Sequence, residues 1–395
     1  MENANENVKQ SDEKPKISSI KCFGKIRIKE KWEYLRNLIT IEPVICLLVT
    51  AKVLIVPAIT NLHFEKACKV NAGFNDTVCE AIVSGTYLKL NFKEENNVVQ
   101  SFITKTRSWE IPVSSVVPVI LILFVGAYSD RHKIRKPFLL MPLLGDMVGL
   151  IGTSISIMFM KQWSLEAQVV ADKIIPSIFG SDKLIITMTF AYIADISSKE
   201  MRILRLAAIP TMLAFLIPIL HAVSGIMFRA LGYFPVLGIS FTFFIAAFTY
   251  GVIKVKESVK MKHDKKELIK DIFNYQHMID TLKFLTEKKE NFNRTNFILI
   301  LLICFILATV QSGEQTTFFL FTQQAYQWTV VDYSYFTTLT AVMKFLGLSV
   351  AVPIFAKVFH LSEFIIMIIA YADAIAASSI FLFVRSPLGL YIDTK

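Results

Sequence analysis

The sequence predicts an all-α membrane protein with about nine transmembrane helices, six and then three. Two observations carry that reading. The composition is 54% hydrophobic and 12% aromatic, with a mean hydropathy of +0.51. Its apolar residues are gathered into runs of about 20, the length that crosses a bilayer core. Between the runs, basic residues collect on alternate sides. Nine Lys and Arg precede the first run, four lie between the second and third, three between the fourth and fifth, and eleven in 254–296. The short 3–4 and 5–6 connections hold one each, Lys161 and Arg229, and the 7–8 connection holds none. This is the positive-inside pattern with a cytosolic N-terminus. It accounts for a net charge of +10 without a nucleic-acid partner, because the excess faces anionic lipid.

Residues 1–38 read as a cytosolic, lysine-rich tail without the short apolar core of a signal peptide, so the first span is expected to serve as an uncleaved anchor. Spans are expected at 39–60, 111–129, 138–160, 169–193, 206–227 and 233–253, an N-terminal six-helix bundle over 39–253. Each is read as a helix because helices satisfy their own backbone groups in lipid. Residues 62–110 form the long external loop. It carries Cys68 and Cys79, which are expected to bridge on the oxidising side. It also carries the sequon Asn75-Asp76-Thr77, so Asn75 is expected to be glycosylated and Asn293, in a cytosolic sequon, to stay bare. Cys22 is expected to be reduced, and Cys46 and Cys304 to be inert within spans.

A basic linker follows at 254–296. Its Leu268, Ile272, Ile279, Leu282 and Phe284 fall at roughly helical spacing, which suits an amphipathic helix on the membrane surface or a solvated linker helix. Asp264 to Ile269 also fits an acidic dileucine pattern. The partial C-terminal bundle, 297–395, holds spans at 297–319, 333–356 and 363–384.

Ionisable residues inside spans cost about 3 kcal/mol or more each and by default face the protein interior or a wet cavity. Here they are Lys52, Asp146, Asp172, Lys173, Asp182, Lys183, Glu314, Lys344 and Asp373. On the fourth span Lys173, Ser177 and Ser181 follow at i, i+4 and i+8, one face of a helix. That stripe is either a polar wall for a solute or a close helix contact through small residues such as Gly180. Lys52 either meets a solute or pairs with an acid such as Glu314. Asp172 and Lys183 read as structural, and Glu42 as an interfacial cap. Lysines in one cavity favour an anionic or amphoteric solute, since a desolvated anion needs compensating charge; acids, though, are present in similar number.

The stretch GAYSDRHKIRKP, Gly126 to Pro137, lies between two apolar runs. It resembles the helix 2–3 loop of the major facilitator superfamily, whose fold is two six-helix halves built from three-helix repeats around a midplane site. IEPVICLLVTAKVLIVPAITN (Ile41 to Asn61), FAYIADISSKEMRILRLA (Phe190 to Ala207) and SGEQ (Ser312 to Gln315) are similar to stretches of solute carrier family 46, the proton-coupled folate transporter family.

The resemblance implies a conformational gate of Gly126, Asp130, Arg131, Arg135, Arg202 and Arg205, with Asp130 paired to Arg131 or Arg135 and set against helix 11. It also implies a cavity lined by spans 1, 4 and 7, which makes Lys52, Lys173, Ser177, Ser181, Asp182, Gln311 and Glu314 the candidate solute-binding residues. Three departures stand out. Lys133-Ile134 replaces a usual Gly-Arg pair in a loop that reads one residue longer. Pro210 stands where the family has an acid tied to proton coupling, and Gln311 where the folate transporter has His. The 7–8 loop lacks the family's cysteine partner, which leaves Cys79 to Cys68.

The expected function is transport of small organic, anionic or folate-like solutes by alternating access, secondary active or facilitative. The expected partners are a small organic solute with or without protons and the lipid bilayer. A plasma or endolysosomal membrane is the expected site. No phosphate-binding G-x-x-x-x-G-K-[ST] loop, metal-ligand cluster or nucleophile–base arrangement is present in the sequence, so neither an enzyme, a cofactor nor a metal is expected. Nine spans supply three of the four repeats. The alternative is therefore a transport-inactive, truncated form or membrane scaffold, unless the frame continues past Lys395.

Overall fold

A computed structural model of the chain describes residues 40–197, 199–257, 294–326 and 330–347, with isolated positions at 279 and between 354 and 379. The tail 1–38, most of the linker with its dileucine pattern, Asn293 and most of the ninth span lie outside the described residues. The helices are α1 (Glu42–Lys66), α2 (Asp76–Val83), α3 (Lys93–His132), α4 (Lys136–Met158), α5 (Leu165–Val169), α6 (Ile175–Ile178), α7 (Ser181–Ile196), α8 (Lys199–Leu231), α9 (Tyr233–Lys254), α10 (Arg294–Tyr326) and α11 (Val330–Leu346). Six helical segments among the described residues are long and apolar enough to cross a membrane: α1, α3, α4, the composite α5–α7, α8 and α9. The described part of the chain is thus an all-helical membrane bundle.

The segment α1 is central to it. It packs against α8 and α9, while α4 lies on α9 and on the fourth span, and α3 on α7. Val44, Ile45, Leu48 and Ala51 of α1 are buried against Leu139, Leu143, Val236 and Phe244. By contrast α3 presents Val113, Val116, Val119 and Leu123 outward, the side that lipid solvates. From the second group, α11 packs on α8, where the Phe215 and Phe345 rings lie 5.2 Å apart.

The expected external loop 62–110 is largely helical. A π-helical turn, Ala67–Asn71, extends α1, then α2 follows, and α3 begins at Lys93, well before the apolar run expected to start at 111. An apolar face makes this possible. Val99 and Ile103 of α3 bury against Cys68, Cys79 and Ile82, with Leu165 and Val169 closing the cluster. Polar residues between those positions hid the helix from a search for unbroken apolar runs.

The fourth span is broken rather than continuous. A π-helical turn, Val170–Ile174, separates α5 from α6, and the chain then turns at Phe179-Gly180 before α7. Pro176 can donate no backbone hydrogen bond, and Gly180 and Ser181 have φ of +97° and +50°. The irregular segment is accommodated by glycines of α4. A Cβ at Gly149 would lie 2.7 Å from Pro176 Cγ and 2.9 Å from the Ala171 carbonyl, and one at Gly145 would lie 2.5 Å from Phe179 Cβ. The single helical face expected for Lys173, Ser177 and Ser181 therefore does not form. Ser177 is buried with its hydroxyl donating to the Ile174 carbonyl at 2.7 Å, and Ser181 opens α7.

Candidate functional site

Three spans bring their charges to one point. Lys52 projects from the middle of α1, Asp146 sits on α4 beside Gly145, and Asp182 lies in the first turn of α7, just past the break. The Lys52 ammonium is 2.9 Å from Asp146 Oδ2 and also donates to Asp182 Oδ1. Side-chain exposure separates the two acids: Asp146 is 8% exposed, Asp182 is 55%, and Lys52 is 24%. A helix N-terminus favours a carboxylate such as Asp182. Two carboxylates share one ammonium, so with all three ionised the cluster carries one net negative charge. The partners of Lys52 are therefore these acids, and the pairing with Glu314 raised by the sequence is not needed to satisfy it. Gln311 and Glu314 lie within α10, with side chains outside the described residues.

The other cations of the fourth span are engaged elsewhere. Lys183 Nζ reaches the Ser114 carbonyl of α3 at 3.4 Å. Lys173 Nζ lies 3.7 Å from Asp172 Oδ2, which is also 3.2 Å from His63 Nε2 of α1. Glu110, buried on α3, feels the charges of Lys173, Asp172 and His63. Below it, Tyr233 of α9 donates to Glu65 at 2.8 Å and accepts from Asn61 at 2.7 Å, while Lys69 joins Glu65 to Asp76. Lys66 is completely buried and donates to the Ser156, Trp163, Met160 and Phe159 carbonyls. At this end Cys68 and Cys79 are disulfide-bonded, with Cα atoms 5.6 Å apart, and Asn75 is exposed between them.

At the opposite end Arg135 is the hub. Its guanidinium donates to Asp130 at 2.5 Å, to Asp195 at 2.9 Å and to the Ser129 hydroxyl at 2.9 Å. Ser129 donates in turn to the Ile134 carbonyl. Glu257 accepts the Arg135 backbone N–H at 3.1 Å and so supplies the first turn of α4 with an acceptor. Arg205 of α8 pairs with Glu42 of α1 at 3.1 Å and contacts Ser197. Glu42 is thus an ion-pair partner as well as a cap for the Ile41 N–H. Arg131 and Arg202 are exposed. A Cβ on Gly126 would meet nothing within 4 Å, so among the described residues no close helix approach depends on it.

Sequence reasoning left Asp146 unassigned although its charge marked it. It did not single out Asp195, Glu257, Glu110, His63 or Lys66. No group of three His, Cys, Asp or Glu side chains among the described residues could hold a metal ion.

Comparison with known proteins adds a family. The chain is 23% identical over 302 residues to the Drosophila melanogaster "Probable peptidoglycan muropeptide transporter SLC46", a match covering 75% of this chain and 58% of that protein. It is 23% identical over 288 residues to the Gallus gallus "Lysosomal proton-coupled steroid conjugate and bile acid symporter SLC46A3", covering 70% and 58%. The chain thus spans little more than half the length of these relatives. The fold is similar to the crystal structure of the human organic anion transporter MFSD10 (TETRAN), with a TM-score of 0.52 at 13% identity over 78% of this chain and 70% of that one. These relatives are transporters rather than enzymes. The Major Facilitator Superfamily model matches residues 105–393, and the chain accordingly belongs to the major facilitator superfamily.

Proposed function

We propose that the protein moves small organic acids across a membrane by alternating access, with Lys52 as the contact for the solute's anionic group. The observation that carries this reading is the ion cluster of Lys52, Asp146 and Asp182 inside spans 1, 3 and 4. Charges at that depth are expensive and are kept for function or for pairing, and a cluster with more than half of Asp182 exposed is reachable from outside the packed core. The relatives' solutes support the class. Bile acids, steroid conjugates and muropeptides are organic molecules that carry acidic groups, and each is named for a protein similar to this one.

The reading includes an orientation. The Arg135 end carries the basic connections and faces the cytosol. The Cys68–Cys79 bond and Asn75 then face an oxidising compartment, outside the cell or within an endolysosome. The polar clusters at the two ends serve as the gates, with Arg135, Asp130, Arg205 and Glu42 on the cytosolic side.

Uptake of labelled cholate, a steroid sulfate and a muropeptide into proteoliposomes bearing the chain tests the proposal. Uptake of at least one is expected, reduced at least tenfold in Lys52→Met. Equal uptake by the variant and wild type would remove Lys52 from the site; none by wild type would remove the transport reading.

A further inference from the structure

We propose that Asp182 is the residue at which the protein takes up one proton for each organic acid it binds. This rests on the reading that Lys52 contacts the solute's anionic group.

The argument is one of charge and access. Lys52 already holds two carboxylates. An incoming organic acid makes a third anion around one ammonium, in surroundings where an uncompensated charge is costly. One of the resident acids must give way. Asp146 is 8% exposed, and its neighbour Gly145 lies tight against Phe179, so Asp146 is fixed in the packed face of α4. Asp182 is 55% exposed and stands on the first turn of α7, next to the left-handed residues Gly180 and Ser181. A solute arriving from the exposed side meets Asp182 first and competes with it for Lys52.

Among the described residues a displaced Asp182 has no second cation in hand. The charged groups that act on it are Lys52 of α1, Asp146 of α4, Lys173 of the π-helical turn and its own neighbour Lys183. Lys183 is turned to the Ser114 carbonyl of α3, and Lys173 lies beside Asp172. Neither donates to Asp182 among the described residues. The displaced carboxylate is then neutralised by a proton from the solution on the side from which the solute enters.

The balance is simple. Before binding, one ammonium and two carboxylates leave one negative charge. After binding, the ammonium faces Asp146 and the solute's carboxylate while Asp182 is neutral, and the site charge is unchanged. One proton enters with one organic anion, and no bond other than the O–H of Asp182 is made. The proton and the anion are linked because both compete with the same ion pair. Pro210 and Gln311 cannot titrate, so Asp182 supplies a proton site that those two positions do not.

Binding of cholate to the purified chain in nanodiscs tests this. At about pH 6 and above the cholate carboxyl is ionised, so any proton taken up belongs to the protein. Calorimetry in two buffers of different ionisation heat counts it. Wild type is expected to take up about one proton per cholate on the alkaline limb, where the apparent Kd rises about tenfold per pH unit. Asp182→Asn, nearly isosteric, is expected to take up none and to show a flat profile. Binding by wild type without a proton, or proton uptake that persists in Asp182→Asn, overturns the assignment to Asp182. Identical failure to bind in wild type and Lys52→Met instead overturns the reading of Lys52 as the anion contact, and the coupling with it.

Discussion

Arg135 and Asp195 lie 2.9 Å apart and tie the loop between α3 and α4 to the end of the fourth span. The same guanidinium holds Asp130 and Ser129, so three acceptors on two segments depend on one planar fork. Replacing Arg135 by Ala leaves Asp195, 23% exposed, without this ion pair. A loss of about 2 kcal/mol is expected, less than for a fully buried pair because Asp130 is largely solvated. A thermal scan in detergent at fixed rate measures it. Arg135→Lys is expected to recover under half, since an ammonium cannot reproduce the fork. Coupling to Asp195→Ala in a double-mutant cycle separates the ion pair from packing, and additive losses would show that the pair contributes nothing.

Lys66 closes the other end of the third span. Its ammonium lies 2.8 Å from the Ser156 carbonyl and 3.0 Å from that of Trp163, where the last carbonyls of α4 lack helical partners. A cation there also meets the negative end of the helix dipole. Lys66→Met keeps most of the stem and removes the donors, which is expected to cost about 2 kcal/mol. Hydrogen exchange locates the effect: faster exchange is expected at 156–163. A stable variant with unchanged protection would make Lys66 a bystander.

Lys133 ends α3 with φ of +55°, the left-handed conformation in which a helix usually places Gly. The turn thus places a residue with a side chain in a conformation that Gly adopts at less cost. Lys133→Gly is expected to raise stability by about 1 kcal/mol. Lys133→Ala removes the charge but leaves the strain, so it is expected to gain nothing. Equal gains from both would point to charge repulsion among the basic residues.

The contrast between Lys52 and Lys66 shows how far the sequence could be read. Spans and intramembrane charges were legible because an apolar run of span length has few other uses and a charge within it stands out. The partner of Lys52 was not, because Asp146 is far along the chain and its approach depends on how α4 meets the broken fourth span. That break had local signals, Pro176 and Gly180, but both are tolerated in regular spans. Lys66 fell within the expected external loop, where a basic residue carries no signal. Its role is set by backbone carbonyls, which have no signature in the sequence. The amphipathic start of α3 was lost for a different reason: its apolar residues, Val99 and Ile103, are too few to make a run.

Gly149 controls how closely α4 and the fourth span approach. An added methyl would meet Pro176 Cγ at 2.7 Å and the Ala171 carbonyl at 2.9 Å, and the backbone atom cannot rotate away. Gly149→Ala is therefore expected to cost about 1–3 kcal/mol by overpacking. It should also separate Asp146 from Asp182 and weaken cholate binding several-fold. Gly238, where an added Cβ meets nothing within 4 Å, serves as the control: Gly238→Ala is expected to leave both readouts unchanged. If Gly149→Ala behaves like Gly238→Ala, the close approach is not what holds the site together.

The Cys68–Cys79 bond anchors the helical cap rather than the spans. It joins residues 11 apart in sequence, for which loop closure gives about 3 kcal/mol at most. Both cysteines are completely buried with Val99, Ile103, Leu165 and Val169 in an apolar cluster separate from the main core. Cys68→Ala/Cys79→Ala removes the link without leaving a lone thiol. The loss should stay local, because the separate cluster, not the span packing, loses its tether. Hydrogen exchange is expected to rise across 67–106 and 163–172 and to stay unchanged in α7 and α9. Cholate binding at Lys52 is expected to change less than twofold. Spread of the effect into α7, or loss of binding with it, would show that the cap and the ion cluster move as one unit.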